Sequence, residues 1–243
     1  MNWILLRGLG RHSLFWGEFP EKLKTSLAPE SSILCLDLPG LNGEKTNFKS
    51  ISDITDEMRS AWLKQKKDGP WSIAAISLGG MIALNWASRY PGDFKHLVTI
   101  NSSDAKLSPV YERLTPTAVK YLFKILKEPS LRIKEKYVLE ATSNLIEIND
   151  DILDKYEEIA LKSKINLRIL IKQLWAAFHF KSPNKIEIPY TVLTSKGDKF
   201  VSFKCSKKLA KRYNANIFVH DVAGHDIPLD DPSWVINHLK DLN

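Results

Sequence analysis

The chain has 243 residues, of which 44% are hydrophobic and 26% are charged. These values are ordinary for a globular protein and exclude a disordered or fibrous one, and the length suits one large core, or a core domain with a lid. The formal net charge is +7, but the sequence contains no zinc-finger, RNP-like or basic-heptad pattern, so nucleic acid is not an expected partner.

The sequence lacks the usual signals for membranes, export and metals. No segment approaches the roughly 18 to 20 consecutive apolar residues that span a bilayer, so stable membrane insertion is not expected. The first residues, "MNWILLRGLGR", have neither a basic leader nor a small-residue cleavage site. Cys35 and Cys205 form no CxxC pattern, and the six histidines form no ligand cluster. We therefore expect a reduced, cytoplasmic protein that needs no metal and no cofactor.

Strand-like and helix-like segments alternate along most of the chain. The strand-like runs are nearly continuous in apolar character, as in parallel strands that are covered on both faces. Strand alternating with helix predicts an α/β fold with a doubly wound, mostly parallel sheet of about six strands. The predicted strands are 3–8, 32–37, 71–76, 96–101, 190–195 and 216–221, and the helices between them are about 18–26, 52–66, 79–89, 202–212 and 232–241.

The segment 105–185 interrupts this alternation. It contains no convincing strand, and we expect it to be a helical lid, inserted after the fourth strand, over a core made of 1–104 and 186–243. Such a lid would cover the carboxyl ends of the strands, where open α/β sheets bind ligands. The segment has 15 Lys/Arg and 10 Asp/Glu residues, so it could attract an acidic partner, although a solvated helical surface is the plainer explanation. The helical patterns in it are 117–126, 130–142, 150–163 and 166–180.

A serine stands where the third predicted strand changes into a helix, in "AISLGGMIALNW". Ala75 and Gly79 flank Ser77 at two residues on either side, and a tight strand-to-helix turn requires small residues there because its backbone is crowded. The start of a helix also favours a developing negative charge. Such turns usually have glycine in place of Ala75, and a string of this kind also fits an ordinary turn serine.

Two further residues follow strands at the same predicted edge of the sheet. Asp198 follows the fifth strand in "LTSKGDKFVS", and His225 follows the last strand in "HDVAGHDIPLDDP". Each alone could be an ordinary loop residue, but with Ser77 they form the chain order Ser, Asp, His. A serine hydroxyl needs an adjacent base, and that base needs a group that fixes its tautomer. We therefore predict a catalytic triad of Ser77, Asp198 and His225.

Two other polar residues are weaker candidates. His220 is predicted to lie within or at the end of the last strand, where it is less free to reach across the sheet edge. Asp37, in "DLPG", is expected to be structural, because its carboxylate can brace the turn that Pro39 and Gly40 impose.

Six segments resemble successive signatures of the α/β-hydrolase fold superfamily, and they cover nearly all of the chain outside the predicted lid. With four helices in the lid, the chain is similar to small carboxylesterases of the pimeloyl-[acyl-carrier protein] methyl ester esterase group. The resemblance implies a compact member whose first strand is the family's third. The segments are "ILLRGLGRHSLFW", "CLDLPGLNGE", "AISLGGMIALNWASRYP", "LVTINSS", "SKGDKFVS" and "AGHDIPLDDP".

The resemblance implies an oxyanion hole formed by the backbone N–H groups of Leu9 and Leu78. Each such donor lowers the reaction barrier by about 2.7–4 kcal/mol. The family usually has His-Gly where this chain has Arg7 and Gly8. Gly8 would let the backbone approach the substrate. Arg7 would either brace this loop through carbonyl groups, which we favour, or offer its charge to an anionic substrate.

The resemblance also leaves alternatives for the acid and for the substrate pocket. Asp104 occupies the place, after the fourth strand, where some members keep their acid, so it is the alternative to Asp198. Trp175, Phe178 and Phe180 lie near the end of the predicted lid. They could line an acyl pocket and bind substrate there, or they could pack in the core.

The expected function is hydrolysis of carboxylic esters through an acyl-Ser77 intermediate. The substrate would be a small ester or acyl compound, either free or carried on acyl carrier protein. One alternative is acyl transfer or a lyase reaction with the same triad, which would need an anion-binding set drawn from Arg7, Arg11 and Arg113. Another is a non-catalytic binding protein, which the absence of the usual histidine before Gly8 keeps open.

Overall fold

The structure is a computed structural model that describes residues 1–163 and 166–242. It contains a six-stranded, fully parallel sheet in the order β2-β1-β3-β4-β5-β6. Each strand agrees with its predicted range to within two residues at either end, so the predicted sheet is confirmed. The strands are β1 Asn2–Leu6, β2 Ile33–Leu36, β3 Trp71–Ile76, β4 Leu97–Ile100, β5 Tyr190–Ser195 and β6 Asn216–His220.

The predicted helices are also present, together with short ones that the periodicity could not indicate. The one-turn helices α4 and α10, and the 3₁₀ turns at Ser13–Trp16 and Pro91–Asp93, are too short to show a repeat. The helices are α1 Phe19–Thr25, α2 Ile51–Leu63, α3 Leu78–Arg89, α4 Val110–Arg113, α5 Pro116–Lys127, α6 Leu131–Thr142, α7 Asp150–Lys162, α8 Leu167–His179, α9 Phe203–Tyr213, α10 Ile227–Asp230 and α11 Pro232–Lys240. Within the described ranges, no helix is long and apolar enough to cross a membrane.

The sheet buries both of its faces, which explains why its strands are continuously apolar. In β1, Ile4 and Leu6 pack into a cluster with α2, α3 and α9, which we call the main core cluster. Trp3 and Leu5 point to the opposite face and pack with α1 and α11. Helices therefore cover both sides of a parallel sheet, as the doubly wound arrangement requires.

The strand order places a switch point between β1 and β3. The chain leaves β1 for the outer strand β2, returns past β1 to β3, and then continues outward through β6. Leu6 at the end of β1 is in register with Ala75 near the end of β3. The loops that follow these two strands therefore start side by side, at the position where open α/β sheets bind ligands.

The segment 105–185, here called the helical insertion, contains α4 to α8 between β4 and β5. It has the four predicted helices and one additional turn of helix, α4. Side chains cap the N-termini of its four longer helices, which explains why their starts could be located from sequence. These capping residues are Thr115, Ser130, Asn149 and Asn166.

A stability prediction follows from the aromatic cluster beside α3. Trp86 is completely buried, and its ring centroid lies 5.9 Å from that of Trp62 and 5.2 Å from that of Phe94. Trp86→Ala is expected to lower the free energy of unfolding by about 3–5 kcal/mol, because a large cavity would remain. Urea denaturation measures this change. The control is Trp175→Ala, where the side chain is 62% exposed, and an equal loss in both variants would contradict the prediction.

Candidate active site

Ser77 lies in a strained turn between β3 and α3. Its backbone has φ 54° and ψ −116°, a conformation that costs a non-glycine residue about 1–3 kcal/mol. Its N–H donates to the carbonyl of Ile100. The side chain does not cap α3, and among the described residues its hydroxyl makes no hydrogen bond. The hydroxyl therefore does not have the ordinary role of a serine at a helix start.

The end of β1 passes directly against this turn. A Cβ atom added at Gly79 would lie 2.6 Å from the carbonyl oxygen of Arg7, so no side chain fits at that position. A Cβ atom added at Gly8 would lie 3.2 Å from the Cβ of Ser77 and 3.8 Å from its Oγ. The backbone at Gly79 therefore packs against the end of β1, and Gly8 packs against the side chain of Ser77, which places the loop after β1 beside this serine.

Asp198 and His225 form a hydrogen-bonded pair at this edge of the sheet. His225 Nδ1 lies 2.7 Å from Asp198 Oδ2, and the aspartate side chain is fully enclosed. Its other oxygen, Oδ1, accepts hydrogen bonds from the backbone N–H groups of Phe200 and Val201. In the neutral tautomer whose Nδ1–H donates to this carboxylate, the other ring nitrogen, Nε2, is an acceptor.

The alternative acid, Asp104, has different partners. Its carboxylate accepts hydrogen bonds from the N–H groups of Lys106 and Ser182 and from the Ser182 hydroxyl. Asp104 therefore joins the start of the helical insertion to its end. Of the two candidate acids, Asp198 is the one that contacts His225.

His220 and Asp37 have structural contacts. The Nδ1 atom of His220 accepts a hydrogen bond from the N–H of Ala223, which shapes the turn after β6. Asp37 accepts hydrogen bonds from the N–H of Ser13 and from the side chain of Asn42. Asp37 thus braces the turn after β2, as expected, and in addition ties it to the segment that follows β1.

Arg7 is buried in an ion pair with Asp226, the residue after His225. Its guanidinium makes two hydrogen bonds to the carboxylate, of 3.0 and 2.5 Å, and lies 4.8 Å from the centroid of the Trp16 ring. Burial alone would lower the pKa of Arg7, but the attraction of Asp226 raises this pKa overall. Arg7 thus braces the loop after β1, as expected, but through a carboxylate and not through carbonyl groups. The alternative prediction, that Arg7 offers its charge to an anionic substrate, is wrong because this charge is buried in the pair with Asp226.

The other two arginines of the proposed anion-binding set also have internal partners. Arg11 donates to Glu135 at 2.7 Å and lies over the ring of Phe15. Arg113 donates to the carbonyl oxygens of Ala177 and Phe178, at the end of α8. The lyase alternative requires arginines that are free to bind an anionic substrate, and all three guanidinium groups have partners within the protein.

The two predicted oxyanion donors lie on the segments that meet at Ser77. Leu78 is the first residue of α3, so its N–H has no partner within the helix. Leu9 directly follows Gly8, and its side chain packs against the main core cluster. Their geometry with respect to a substrate oxygen stays a prediction.

The three aromatic residues at the end of the helical insertion have different environments. Phe180 is buried in the main core cluster, whereas Trp175 and Phe178 are at least half exposed. The ring of Trp175 lies beside His179, with the centroids 4.0 Å apart. Of the two predicted roles, packing in the core is therefore found for Phe180 and not for Trp175 or Phe178. Substrate binding by Trp175 stays a prediction.

Asn101 supports the histidine loop, and the sequence reasoning missed it. The residue is buried after β4 and has φ 47°, a left-handed conformation that asparagine tolerates better than most residues. Its Nδ2 donates to the carbonyl of His225 at 2.9 Å, and its Oδ1 accepts from the N–H of Ser195 at 3.0 Å. An asparagine as the last residue of the predicted strand 96–101 was the available signal.

Asn144, which follows α6, connects the acid loop with the histidine loop, and it too was missed. Its Nδ2 donates to the carbonyls of Gly197 and Val222, at 2.8 and 2.9 Å. Its backbone N–H donates to Asp230, which also accepts from the N–H of Gly224. No local pattern indicated this role, because every partner is at least 50 residues away in the chain.

Neither thiols nor a metal centre offer alternative chemistry in the described part of the chain. Both cysteines are free. Burial raises the pKa of Cys35 to about 12 and that of Cys205 to about 11, so both thiols stay protonated at neutral pH. Among the described residues, no group of three or more His, Cys, Asp or Glu side chains could hold a metal ion.

The parallel sheet, the turn at Ser77 after β3 and the flanking helices define an α/β hydrolase. More specifically, the chain belongs to the serine aminopeptidase S33 family, whose family model matches residues 3–232. The match covers the core together with the helical insertion. The protein is thus a member of a hydrolase family.

Curated relatives are similar at low identity. Monoacylglycerol lipase ABHD6 from Bos taurus is 22% identical over 260 residues, covering 98% of this chain and 74% of the relative. The biotin biosynthesis bifunctional protein BioHC from Teredinibacter turnerae is 32% identical over 97 residues. That match covers 40% of this chain and 16% of the relative's length.

Solved structures with the same fold include esterases. A lipase-esterase related protein from Clostridium acetobutylicum has a TM-score of 0.75 and 17% identity, covering 100% of this chain and 94% of the other. Carboxylesterase CesB from Bacillus subtilis has a TM-score of 0.72 and 16% identity, covering 98% and 81%. At these identities the likeness shows the fold.

A second stability prediction concerns the buried ion pair. Arg7→Met would leave the Asp226 carboxylate buried without its cation, and we expect the free energy of unfolding to fall by about 3–5 kcal/mol. The double variant Arg7→Met with Asp226→Leu should recover most of this loss, because no unpaired charge remains. Chemical denaturation of the single and double variants measures the coupling. Additive losses in the double variant would contradict the role given to the pair.

Proposed function

We propose that the protein hydrolyses carboxylic esters through an acyl-Ser77 intermediate, with His225 as the base and Asp198 as its partner. The observation that carries the proposal is the hydrogen bond between Asp198 and His225, at the same sheet edge as the strained turn of Ser77. Membership of a hydrolase family supports the reaction class.

The proposed reaction has two steps. In the first, His225 Nε2 takes the proton of Ser77 Oγ as that oxygen attacks the ester carbonyl, and then gives the proton to the departing alcohol as the ester C–O bond breaks. In the second step, water attacks the acyl-serine with the same proton transfers and releases the acid. The N–H groups of Leu9 and Leu78 stabilise the negative oxygen of each tetrahedral intermediate, and Asp198 stabilises the imidazolium.

The surroundings of His225 support this role. Asn101 holds its carbonyl, and the Arg7–Asp226 pair fixes the next residue to the loop after β1. A base held in this way loses little orientational freedom during the reaction. A link between His225 and Ser77 Oγ is part of the proposal, since catalytic hydrogen bonds often form only in the complex with substrate.

The two alternative functions have less support. Acyl transfer or lyase chemistry on an anionic precursor would need free arginines, and Arg7, Arg11 and Arg113 are all engaged internally. A binding protein with an idle serine would have no use for a strained turn at the same sheet edge as a buried Asp–His pair. Ester hydrolysis uses all of these features.

The proposed substrates are small esters, and an acyl carrier protein is a proposed carrier for them. The names of the relatives, a monoacylglycerol lipase and a biotin biosynthesis protein, agree with acyl compounds. Helix α5 exposes three lysines and has no acidic residue, which would suit the acidic surface of a carrier. These lysines are Lys120, Lys124 and Lys127.

Ser77→Ala tests the reaction class. Wild type should hydrolyse p-nitrophenyl esters in a series from acetate to decanoate, and the variant should lose about 10⁴-fold or more of kcat, because the nucleophile is gone. The matched control is Ser72→Ala, which removes a buried hydroxyl without a hydrogen-bond partner from the same strand. Its turnover should stay within about threefold of wild type.

The outcomes of this assay separate the proposed reaction from its alternatives. Turnover in wild type that survives Ser77→Ala would refute the nucleophile. If no ester is cleaved but a fluorophosphonate labels Ser77, the nucleophile is right and the substrate class is wrong. If nothing labels Ser77, the binding-protein alternative is favoured. Adding a competing alcohol or thiol and analysing the products separates transfer from hydrolysis.

Charge reversal on α5 tests the carrier. Changing Lys120, Lys124 and Lys127 to Glu should lower kcat/KM for a carrier-linked ester by about tenfold or more, with turnover of the free ester unchanged. The control reverses three exposed lysines at similar spacing on α9, which should affect neither substrate. Equal turnover of the carrier-linked ester in wild type and the α5 variant would refute the carrier proposal. The α9 residues are Lys204, Lys207 and Lys211.

A further inference from the structure

Gln173 is a buried polar residue on the otherwise apolar inner face of α8. The neighbours on this face, Ile169 and Ala176, belong to the main core cluster, as does Phe180 just beyond the helix. Gln173 has no exposed surface. An apolar side chain would be the ordinary choice at this position.

The oxygen of this amide binds the loop after β1. Gln173 Oε1 accepts a hydrogen bond from the N–H of Gly10 at 3.0 Å. Gly10 is the third residue of a turn in which the N–H of Arg11 donates to the carbonyl of Gly8, at 3.3 Å. Its φ of 62° lies in the left-handed region, which glycine adopts without a steric penalty. The amide therefore fixes the peptide that follows Leu9.

The N–H of Leu9, in the middle of the same turn, is in a different state from the two that follow it. The N–H of Gly10 is bonded to Gln173, and that of Arg11 to Gly8. The N–H of Leu9 makes no hydrogen bond among the described residues. It is the same group that would stabilise the oxyanion in the proposed function.

The nitrogen of the amide indicates that Gln173 is not present for stability. Gln173 Nε2 is buried and has no hydrogen-bond partner among the described residues. A buried unpaired donor costs free energy that a methionine of similar size would avoid. A residue that lowers the stability of the fold, as this glutamine does, is expected mainly at functional sites.

We propose that Gln173 is a positioning residue for the oxyanion hole. By holding the N–H of Gly10, it fixes the turn so that the N–H of Leu9 stays beside Ser77 as the free donor. The helical insertion thus takes part in the chemistry through one side chain. A donor that is fixed before the reaction stabilises the developing charge without reorganisation. The inference rests on the proposed function and deepens it.

Ile169 supplies a matched control on the same helix face. One turn before Gln173, its Cδ1 would lie 2.7 Å from a Cβ atom added at Gly40, so Ile169 seats α8 on the loop after β2. Ile169→Ala therefore loosens the same helix but keeps the side chain that accepts the hydrogen bond from Gly10. A general effect of loosening α8 should appear in this variant at least as strongly as in a variant of Gln173.

The experiment compares Gln173→Met and Ile169→Ala with wild type on the most reactive p-nitrophenyl ester. For Gln173→Met we expect kcat to fall by about tenfold, with KM within about twofold and Tm unchanged or higher. The displaced donor should also weaken binding of a boronic acid, a mimic of the tetrahedral intermediate, by the same factor as kcat/KM. Ile169→Ala should lower Tm, with kcat within about threefold of wild type.

Two results would overturn the inference. One is a kcat for Gln173→Met within twofold of wild type. The other is a fall in its Tm together with a loss of kcat no larger than that of Ile169→Ala, which would mean that Gln173 only packs. If Gln173→Met does not fold, Gln173→Asn replaces it, because the shorter amide cannot reach Gly10 and should show the same loss of kcat.

The inference and the proposed function fail in different ways. If wild type cleaves no ester, the rate at which a fluorophosphonate labels Ser77 replaces kcat, since phosphonylation also develops negative charge on an oxygen. Gln173→Met should then label about tenfold more slowly, and an unchanged rate would overturn the inference alone. A wild type that neither turns over nor labels overturns the proposed function, and the inference with it.

Discussion

The close contact between the end of β1 and the start of α3 is the constraint on which the site depends. At Gly79 there is no room for a side chain, and at Gly8 a Cβ atom would lie only 3.2 Å from the Cβ of Ser77, so the loop after β1 packs tightly against the turn that holds Ser77. This contact brings the loop after β1 and the N-terminus of α3 together at Ser77. A larger residue at Gly79 would separate the two segments and remove both potential donors from Ser77 together.

The helical insertion contacts each of the three loops that surround Ser77. Thr115, just before α5, holds the loop after Asp198. Its N–H donates to the carbonyl of Phe200 and its hydroxyl to the carbonyl of Lys199. Asn144, after α6, joins that loop to the one that carries His225, and Gln173 on α8 holds the loop after β1. The insertion is therefore tied to the loops at this edge of the sheet by three side chains.

Arg7 connects two loops at the edge of the sheet through a buried ion pair. The guanidinium replaces the usual histidine side chain and is buried against Asp226. Because Asp226 follows His225, the ion pair links the loop after β1 to the histidine loop across the sheet edge. Burying two charges is favourable only with such close pairing, so the pair also commits both loops to a single arrangement.

The sequence by itself determined the strands, the longer helices and the order of Ser77, Asp198 and His225, because these depend on local periodicity, on capping and on residues that directly follow strands. Only the tertiary structure decided that Asp198 rather than Asp104 contacts His225, that Arg7 pairs with Asp226, and that Trp175 is exposed. The same is true of the contacts of Asn101, Asn144 and Gln173. The physical reason is separation along the chain: Arg7 and Asp226 are 219 positions apart, and Gly10 and Gln173 are 163 apart. Such partners are brought together by the packing of the whole fold, which local sequence patterns do not describe.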